Sequence, residues 1–270
     1  MIICNFTKKK FVSNMKKNHP LIIAHRGESF DAPENTLASI NLAWNRNDDA
    51  VEIDIHLSKD NKIIVIHDAN TKRTAGPNKK ISKMTLKEIK NLDAGSWKNN
   101  KWKNEKIPTL KEVLITVPEN KKLIIEIKSG IKIIPFLKDE ILKSKLANCF
   151  HQIEFISFSY STITEIKKNF PKHNALYLVN LDYTWYNKIF SPPVEKLIAK
   201  VKKGNLNGLD VWAGNLLTER FADKVKTNGL LLYVWTVNNI EKAKKLVNIK
   251  IDGITTDKAW QLKKELYKIL

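Results

Sequence analysis

The chain has 270 residues, of which 43% are hydrophobic, so it is long enough for one large α/β domain with a substantial core. Lysine and arginine total 47 against 28 aspartate and glutamate residues, a formal net charge of +19. The lysines are dispersed, which is typical of a solvated surface. The competing interpretation is attraction to an anion, namely a phosphate-bearing small molecule, a membrane surface or nucleic acid. No basic motif interleaved with aromatic residues is present, so nucleic acid is not an expected partner.

Neither the cysteines nor the hydropathy pattern indicates a secreted or membrane-spanning chain. Cys4 and Cys149 are too few for a disulfide framework and lack metal-ligand spacing. The first residues do not have the order of charge and apolar run that a signal peptide requires, and no stretch approaches about 18 uninterrupted apolar residues. We therefore expect a cytoplasmic protein, with residues 1–20 as an N-terminal extension and residues 21–270 as a single domain.

From residue 21 onward, short apolar runs typical of buried strands alternate with helical patterns. Strands are predicted over residues 21–24, 50–57, 123–128, 153–158, 175–179, 208–213, 230–237 and 253–256. Helices are predicted over residues 35–47, 109–117, 131–145, 161–169, 218–227 and 240–247. Eight strands, most of them followed by a helix, favour an α/β fold of the (β/α)8 TIM barrel type. The absence of a GxGxxG or GxxxxGK loop argues against an open nucleotide-binding sheet.

One apolar run, residues 63–67, interrupts this alternation. It follows the second strand after a short polar turn, whereas a parallel crossover needs about a dozen residues or more. We therefore predict an antiparallel hairpin whose turn is centred on Asp60-Asn61, which places Asp54 opposite His67. The long polar segment that follows, residues 69–106, is predicted to form a small insertion over the top of the barrel.

Polar side chains gather at the predicted carboxyl ends of the strands, where barrel enzymes place their reactive groups. Glu52 and Asp54 fall on one face of the second strand, and Glu126 lies at the end of the third. Three inward carboxylates without cysteines suit one divalent cation, Mg²⁺ or Ca²⁺, rather than zinc. Salt bridging to lysines is the competing interpretation. His56 shares the face of Glu52 and Asp54 but lies nearer the turn, so it is given no role.

Two histidines and two cationic residues border this group of carboxylates. His25 ends the first strand and His67 ends the hairpin, and both suit general acid–base work near neutral pH. Arg26 can bind two phosphate oxygens at once, and Lys128 adds a point charge for the same anion. Trp235, at the end of the seventh strand, packs either against the apolar face of a substrate or within the core.

These residues belong to an ordered set of short motifs that resembles the glycerophosphodiester phosphodiesterase family. The motifs are Ala24-His25-Arg26-Gly27, Pro33-Glu34-Asn35-Thr36, Glu52-Ile53-Asp54, His67-Asp68, Ile107-Pro108-Thr109-Leu110, Glu126-Ile127-Lys128, Trp235-Thr236-Val237 and Asp252-Gly253-Ile254-Thr255-Thr256-Asp257. They extend over residues 21 to 257, nearly the whole chain. The order and spacing of the set, rather than any single motif, carry the resemblance.

The resemblance implies a TIM barrel with a small insertion after the second strand. It also implies hydrolysis of a small glycerophosphodiester, such as glycerophosphocholine or glycerophosphoethanolamine, to glycerol 3-phosphate and an alcohol. It implies that the cation is bound by Glu52, Asp54 and Glu126. It also implies acid–base catalysis by His25 and His67, and phosphate binding by Arg26 and Lys128. Which histidine is the acid and which is the base stays open.

Two other functions stay open from the sequence. The same site can act as a phospholipase D on lysophospholipids at a membrane surface, since Trp97 and Trp102 are flanked by lysines and can supply an apolar contact surface. Membrane contact is compatible with the main interpretation but is not required by it. A barrel that binds phosphodiesters without catalysis is the other alternative, and the complete set of histidines and carboxylates argues against it.

Overall fold

Eight parallel strands close into a barrel in the computed structural model, which describes residues 19–181 and 193–267. With one hairpin strand among them, the strands are β1 Leu21–His25, β2 Ala50–Leu57, β3 Ile63–Val65, β4 Lys122–Ile127, β5 Ile153–Ser157, β6 Asn174–Val179, β7 Gly208–Trp212, β8 Leu231–Trp235 and β9 Gly253–Thr256. The barrel closes because β1 pairs in parallel with both β2 and β9. The predicted TIM barrel is confirmed.

Helices connect most of the strands around the outside of the barrel. They are α1 Leu37–Asn45, α2 Lys72–Ala75, α3 Leu86–Lys90, α4 Leu110–Thr116, α5 Ile134–Leu142, α6 Tyr160–Asn169, α7 Val194–Lys203, α8 Glu219–Thr227, α9 Ile240–Asn248 and α10 Ala259–Tyr267. Over the described ranges, no helix is long and apolar enough to cross a membrane. Cys4 and nearly all of the predicted N-terminal extension lie outside the described residues.

Alternation of side chains along the strands separates two parts of the core. A cluster drawn only from strands fills the barrel interior and includes Ile23, Ile124, Ile156, Leu176 and Tyr233. Intervening strand residues face outward and pack with the helices in a larger cluster. The apolar interior lies below the carboxyl ends of β1, β2 and β4, where the mouth of the barrel opens. Toward the amino ends of the strands, Glu154 accepts from the Tyr233 hydroxyl at 2.8 Å and from Asn174 Nδ2 at 3.0 Å, so the interior holds a second polar group there.

The hairpin formed by β2 and β3 differs from the predicted register by one residue. The amide of Ile66 donates to the carbonyl oxygen of Asp54 at 3.0 Å, so Asp54 lies opposite Ile66, and the prediction that it faces His67 is wrong. The turn closes one residue earlier than predicted because the Ser58 amide donates to the Lys62 carbonyl oxygen at 2.9 Å. The Lys62 amide in turn donates to Ser58 Oγ at 2.8 Å, which fixes this shorter closure.

The segment between β3 and α4 carries a small core of its own. Ile81, Met84 and Ile89 pack with Ile64 of the hairpin and with neighbouring apolar residues. This core attaches α2 and α3 to the side of the barrel where β2 ends. The segment thereby brings charged residues of α2 to the mouth.

Candidate active site

Barrel register brings the polar ends of β1, β2 and β4 side by side. His25 pairs with Glu52 across β1 and β2, and Asp54 pairs with Glu126 across β2 and β4. Because these strands are parallel, their carboxyl ends open at the same mouth. The structure therefore gathers the predicted carboxylates and His25 into one site.

Glu52, Asp54 and Glu126 form a compact group of buried carboxylates. One oxygen from each lies within 4.8 Å of the others, and the three residues are 3%, 1% and 7% exposed. Burial raises the pKa of Glu52, and burial together with Asp54 raises the pKa of Glu126 to about 7. Burial also opposes ionisation of Asp54, but Lys128 and Arg26 hold its pKa below the ordinary range. Three such carboxylates require positive charge beside them.

The donor set fits a hard divalent cation such as Mg²⁺ or Ca²⁺. Carboxylate oxygens are the ligands these ions prefer, and the Oε1 atom of Glu52 is buried without a hydrogen-bond partner among the described residues. The other oxygen of Glu52 accepts from the Arg26 amide at 3.1 Å. Asn35 orients Asp54: its Nδ2 donates to Oδ2 at 2.8 Å and its Oδ1 accepts from the Asp54 amide at 3.2 Å. Two of the three ligands are thus held in place by the backbone and side chains around them.

Lys128 and Arg26 lie directly against the carboxylates. Lys128 Nζ is 2.7 Å from Glu126 and 3.1 Å from Asp54, and Arg26 Nε is 3.2 Å from Asp54. The Arg26 contact is an ion pair without hydrogen-bond geometry, since Nε has no hydrogen-bond partner in the described part of the chain. The salt bridging considered as the alternative is therefore present at Asp54 and Glu126, but it does not satisfy Glu52.

Both histidines have a carboxylate on the Nδ1 side of the ring. His25 Nδ1 is 2.7 Å from Asp257 Oδ1, and His67 Nδ1 is 2.6 Å from Asp68 Oδ1. We assign the proton to Nδ1 in each neutral ring because a carboxylate can only accept, which leaves Nε2 to exchange a proton with a ligand. Burial lowers the pKa of His67, so its imidazole is neutral near pH 7.

Arg73 of α2 connects the two sides of the site, and sequence reasoning missed it. Its Nη1 and Nη2 atoms donate to Glu34 at 2.6 and 2.8 Å, and its Nε and Nη2 donate to Asp68 at 2.9 and 3.1 Å. Glu34 also accepts from Arg26 Nη1 at 2.8 Å. The Arg73 guanidinium therefore binds both Asp68, which contacts His67, and Glu34, which contacts Arg26.

A signal for Arg73 was present in the composition. Arginine occurs only at positions 26, 46, 73 and 220 in a chain whose other cationic residues are lysines. A planar guanidinium is the side chain that can bridge two carboxylates with paired hydrogen bonds. Glu34, Asp68 and Asp257 stand inside the motifs quoted above, but nothing in the sequence showed which residue each one orients.

Trp235 lies at the mouth beside Phe158, whose exposure sequence reasoning also missed. The two rings meet edge to face with centroids 5.6 Å apart, and Lys128 Nζ lies 5.9 Å from the Phe158 ring. Trp235 also packs against the strand cluster inside the barrel. It therefore belongs to the core on one side and borders the mouth on the other.

His56 supports the backbone of the hairpin rather than the group of carboxylates. Its Nε2 donates to the carbonyl oxygen of His67 at 3.0 Å. Burial lowers the pKa of His56, which keeps the ring neutral. This hydrogen bond fixes the backbone of His67 just after β3.

Comparison with known proteins gives a consistent result. The Glycerophosphoryl diester phosphodiesterase family matches residues 25–260. A glycerophosphodiester phosphodiesterase of Caldanaerobacter subterraneus subsp. tengcongensis is 33% identical over 241 residues, which cover 88% of this chain and 93% of that protein. Human lysophospholipase D GDPD1 is 27% identical and matches 91% of this chain and 85% of its own length.

Solved structures agree with the sequence comparison. An Oleispira antarctica phosphodiesterase, determined in complex with the product sn-glycerol-3-phosphate, is 28% identical to this chain with a TM-score of 0.74. The match covers 92% of this chain and 97% of that one. The family match over most of the sequence, together with the barrel and its motifs, shows that this chain belongs to the glycerophosphodiester phosphodiesterase family.

Proposed function

We propose that this chain hydrolyses glycerophosphodiesters to glycerol 3-phosphate and an alcohol, using a divalent cation held by Glu52, Asp54 and Glu126. The observation that carries the proposal is the convergence at one mouth of two carboxylate-oriented histidines, three buried carboxylates and the cations Arg26 and Lys128. The product found in the Oleispira antarctica phosphodiesterase supports the same substrate class.

In this proposal the substrate phosphate is bound by Arg26 and Lys128. The bound cation, Mg²⁺ or Ca²⁺, would offset negative charge on the phosphoryl oxygens. Arg26 offers N–H groups in a fork that matches two phosphate oxygens, and Lys128 adds a point charge. Both side chains are 17% exposed at the mouth, so a phosphodiester can reach them there.

The two histidines carry out the proton transfers of the hydrolysis. His67, neutral near pH 7, accepts a proton from the attacking group, which is water or the adjacent glycerol hydroxyl. His25 donates a proton to the leaving oxygen, and the opposite assignment uses the same geometry. Asp68 and Asp257 stabilise the positive charge that forms on each ring. Trp235 and Phe158 provide an apolar wall for the carbon face of the substrate.

A turnover assay on glycerophosphocholine with added Mg²⁺ or Ca²⁺ tests these roles. We expect His25→Ala and His67→Ala each to lower kcat by about 10²–10⁴-fold. His151→Ala is the matched control, because His151 lies just before β5, at the opposite end of the barrel. Near wild-type turnover in a folded His67→Ala or His25→Ala protein would overturn the assignment.

A lysophospholipase D activity is the second candidate. It is favoured by the name of the human relative and by exposed aromatic residues at the mouth, Phe30 at 47% and Trp97 at 41%. The ratio of kcat/KM for glycerophosphocholine to that for lysophosphatidylcholine distinguishes the two. A ratio above one supports the main proposal, and a ratio below one supports the second candidate.

A further inference from the structure

Exposed apolar side chains concentrate at the end of the barrel that holds the candidate active site. Four of them lie in segments that follow the carboxyl ends of β1, β3, β4 and β5 and are at least 41% exposed, namely Phe30, Trp97, Ile131 and Phe158. Isolated exposed apolar residues are ordinary, but a group on one face marks a contact surface. These four side chains define the mouth face.

The loops that carry Phe30 and Trp97 are joined to each other and to the site. Lys98, next to Trp97, donates from Nζ to the carbonyl oxygen of Ser29 at 2.7 Å. The Phe30 amide donates to the carbonyl oxygen of Asp257 at 3.0 Å. Asp257 also accepts from His25, so the loop that carries Phe30 is joined directly to the partner of the candidate catalytic residue, and the loop that carries Trp97 is joined to it through Ser29.

Three lysines accompany these aromatic rings. Lys258 Nζ lies 4.2 Å from the Phe30 ring centroid, and Lys98 Nζ lies 5.9 Å from that of Trp97. Lys101 Nζ lies 5.1 Å from the neighbouring Trp102 ring. Within the described residues none of these three lysines forms an ion pair with a carboxylate, so their charge is available to a partner.

Among the described residues, the large apolar side chains exposed at the opposite end of the barrel are aliphatic, namely Ile115 and Leu142. A lysine also lies beside a ring at that end, since Lys172 Nζ is 4.7 Å from the Phe150 ring centroid, but that ring is half-buried. The exposed aromatic rings with an unpaired lysine beside them, Phe30 with Lys258 and Trp97 with Lys98, therefore lie at the mouth face. Their chemistry is complementary to a surface that is negatively charged at the top and apolar beneath.

We propose that the mouth face docks on an anionic lipid bilayer. Phe30 and Trp97 enter the head-group layer, and Lys98, Lys101 and Lys258 lie against lipid phosphates. Aromatic rings favour this interface, lysine stems extend their charge to the head groups, and a net charge of +19 attracts the chain to such a surface. In the docked orientation the active site faces the membrane, whichever phosphodiester it cleaves.

Co-flotation of the full chain with phosphatidylcholine vesicles, with and without phosphatidylglycerol, tests the proposal. The mouth variant is Phe30→Ala/Trp97→Ala/Lys101→Gln/Lys258→Gln. The matched control, Ile115→Ala/Leu142→Ala/Lys145→Gln/Lys203→Gln, makes equivalent changes at helix ends on the opposite side of the barrel. The paired charge variants Lys101→Gln/Lys258→Gln and Lys145→Gln/Lys203→Gln serve if either larger variant does not fold.

We expect the wild-type chain to float with anionic vesicles and not with neutral ones. Removal of two mouth lysines should lower the partition coefficient by roughly 25-fold, at roughly fivefold for each lysine, and the mouth variant by more. The control should keep the wild-type value. Equal losses in both variants, or wild-type binding that does not depend on phosphatidylglycerol, would overturn the proposal. So would mouth variants that lose binding to a DNA duplex but keep vesicle binding. No substrate is present, so the result is independent of the proposed hydrolysis.

Discussion

A carboxylate contacts the Nδ1 atom of each candidate catalytic histidine. The hydrogen bond from Arg73 lowers the pKa of Asp68 to about 2. Burial acts against ionisation of Asp257, but the hydrogen bond from His25 lowers its pKa to about 2 as well. Both carboxylates therefore stay ionised across the neutral range, and the hydrogen bond to Asp68 acts to raise the pKa of the His67 ring.

The pH dependence of Asp68→Asn tests whether His67 is the base. Burial lowers the pKa of His67 and the Asp68 carboxylate raises it, so removing that charge lowers the pKa further. A base is active when neutral, so kcat/KM falls as pH drops through this pKa. We expect the acidic limb of the pH–kcat/KM profile to move to lower pH and the plateau to fall about 10–100-fold.

Asp139→Asn, which removes an exposed carboxylate from α5, is the control and should leave the profile unchanged. An acidic limb that stays in place or moves to higher pH in Asp68→Asn would contradict the assignment of His67 as base.

The sequence was sufficient to group Glu52, Asp54 and Glu126, because period-two alternation and strand ends determine where those side chains point. It was not sufficient to pair His25 with Asp257. That contact joins residues at opposite ends of the chain and exists only because β1 pairs with β9. Side-chain partners formed by barrel closure leave no local pattern.

At the scale of elements, the short helix α2 acts on the site through Arg73. Lysine at this position keeps the charge but cannot donate in paired fashion to both Glu34 and Asp68. We expect Arg73→Lys to lower kcat about tenfold and to raise KM, because one carboxylate orients His67 and the other orients Arg26. Steady-state kinetics on glycerophosphocholine measure both effects.

Arg220→Lys, at an exposed position of α8, is the matched control and should retain wild-type kinetics. If Arg73→Lys and Arg220→Lys gave the same kcat and KM as the wild type, α2 would have no part in positioning the site.

The loop between β1 and α1 depends on a close approach at Gly27. Its φ is +79°, and a Cβ there would lie 2.5 Å from the backbone carbon of Ser39. Gly229 has a similar φ of +72°, but a Cβ there would meet nothing within 4 Å. We expect Gly229→Ala to cost about 1 kcal/mol of unfolding free energy and Gly27→Ala about 3 kcal/mol or more. Urea unfolding measures both, and equal costs would contradict the close packing of this loop on α1.

Most elements with strong periodicity were predicted to within a few residues, but helices α7 and α10 were not among the predicted ones, and neither were the shortest helices. The barrel strands and helices such as α6 and α9 follow apolar repeats that are visible in the sequence. Helices α2 and α3 are too short to show a repeat and exist through packing on the hairpin. The predicted hairpin register was wrong because Ser58 closes the turn with hydrogen bonds that composition does not specify.

At the scale of the whole molecule, the barrel separates stability from chemistry. Apolar side chains fill most of the interior and the space beneath the helices, and the mouth groups three buried carboxylates with histidines and cations. The same end carries the exposed aromatic residues and unpaired lysines. Substrate binding, proton transfer and surface contact are therefore all assigned to one face.

Cation-dependent hydrolysis is tested by phosphorus NMR of glycerophosphocholine, incubated with the chain in EDTA and then with excess Mg²⁺ or Ca²⁺. We expect the diester resonance to be converted to that of glycerol 3-phosphate only after the cation is added. We also expect Glu52→Gln to slow the conversion by at least about 10²-fold, because Glu52 supplies a cation ligand. Hydrolysis at an undiminished rate in EDTA, or a folded wild-type chain that is inactive with both cations, would contradict cation-dependent hydrolysis.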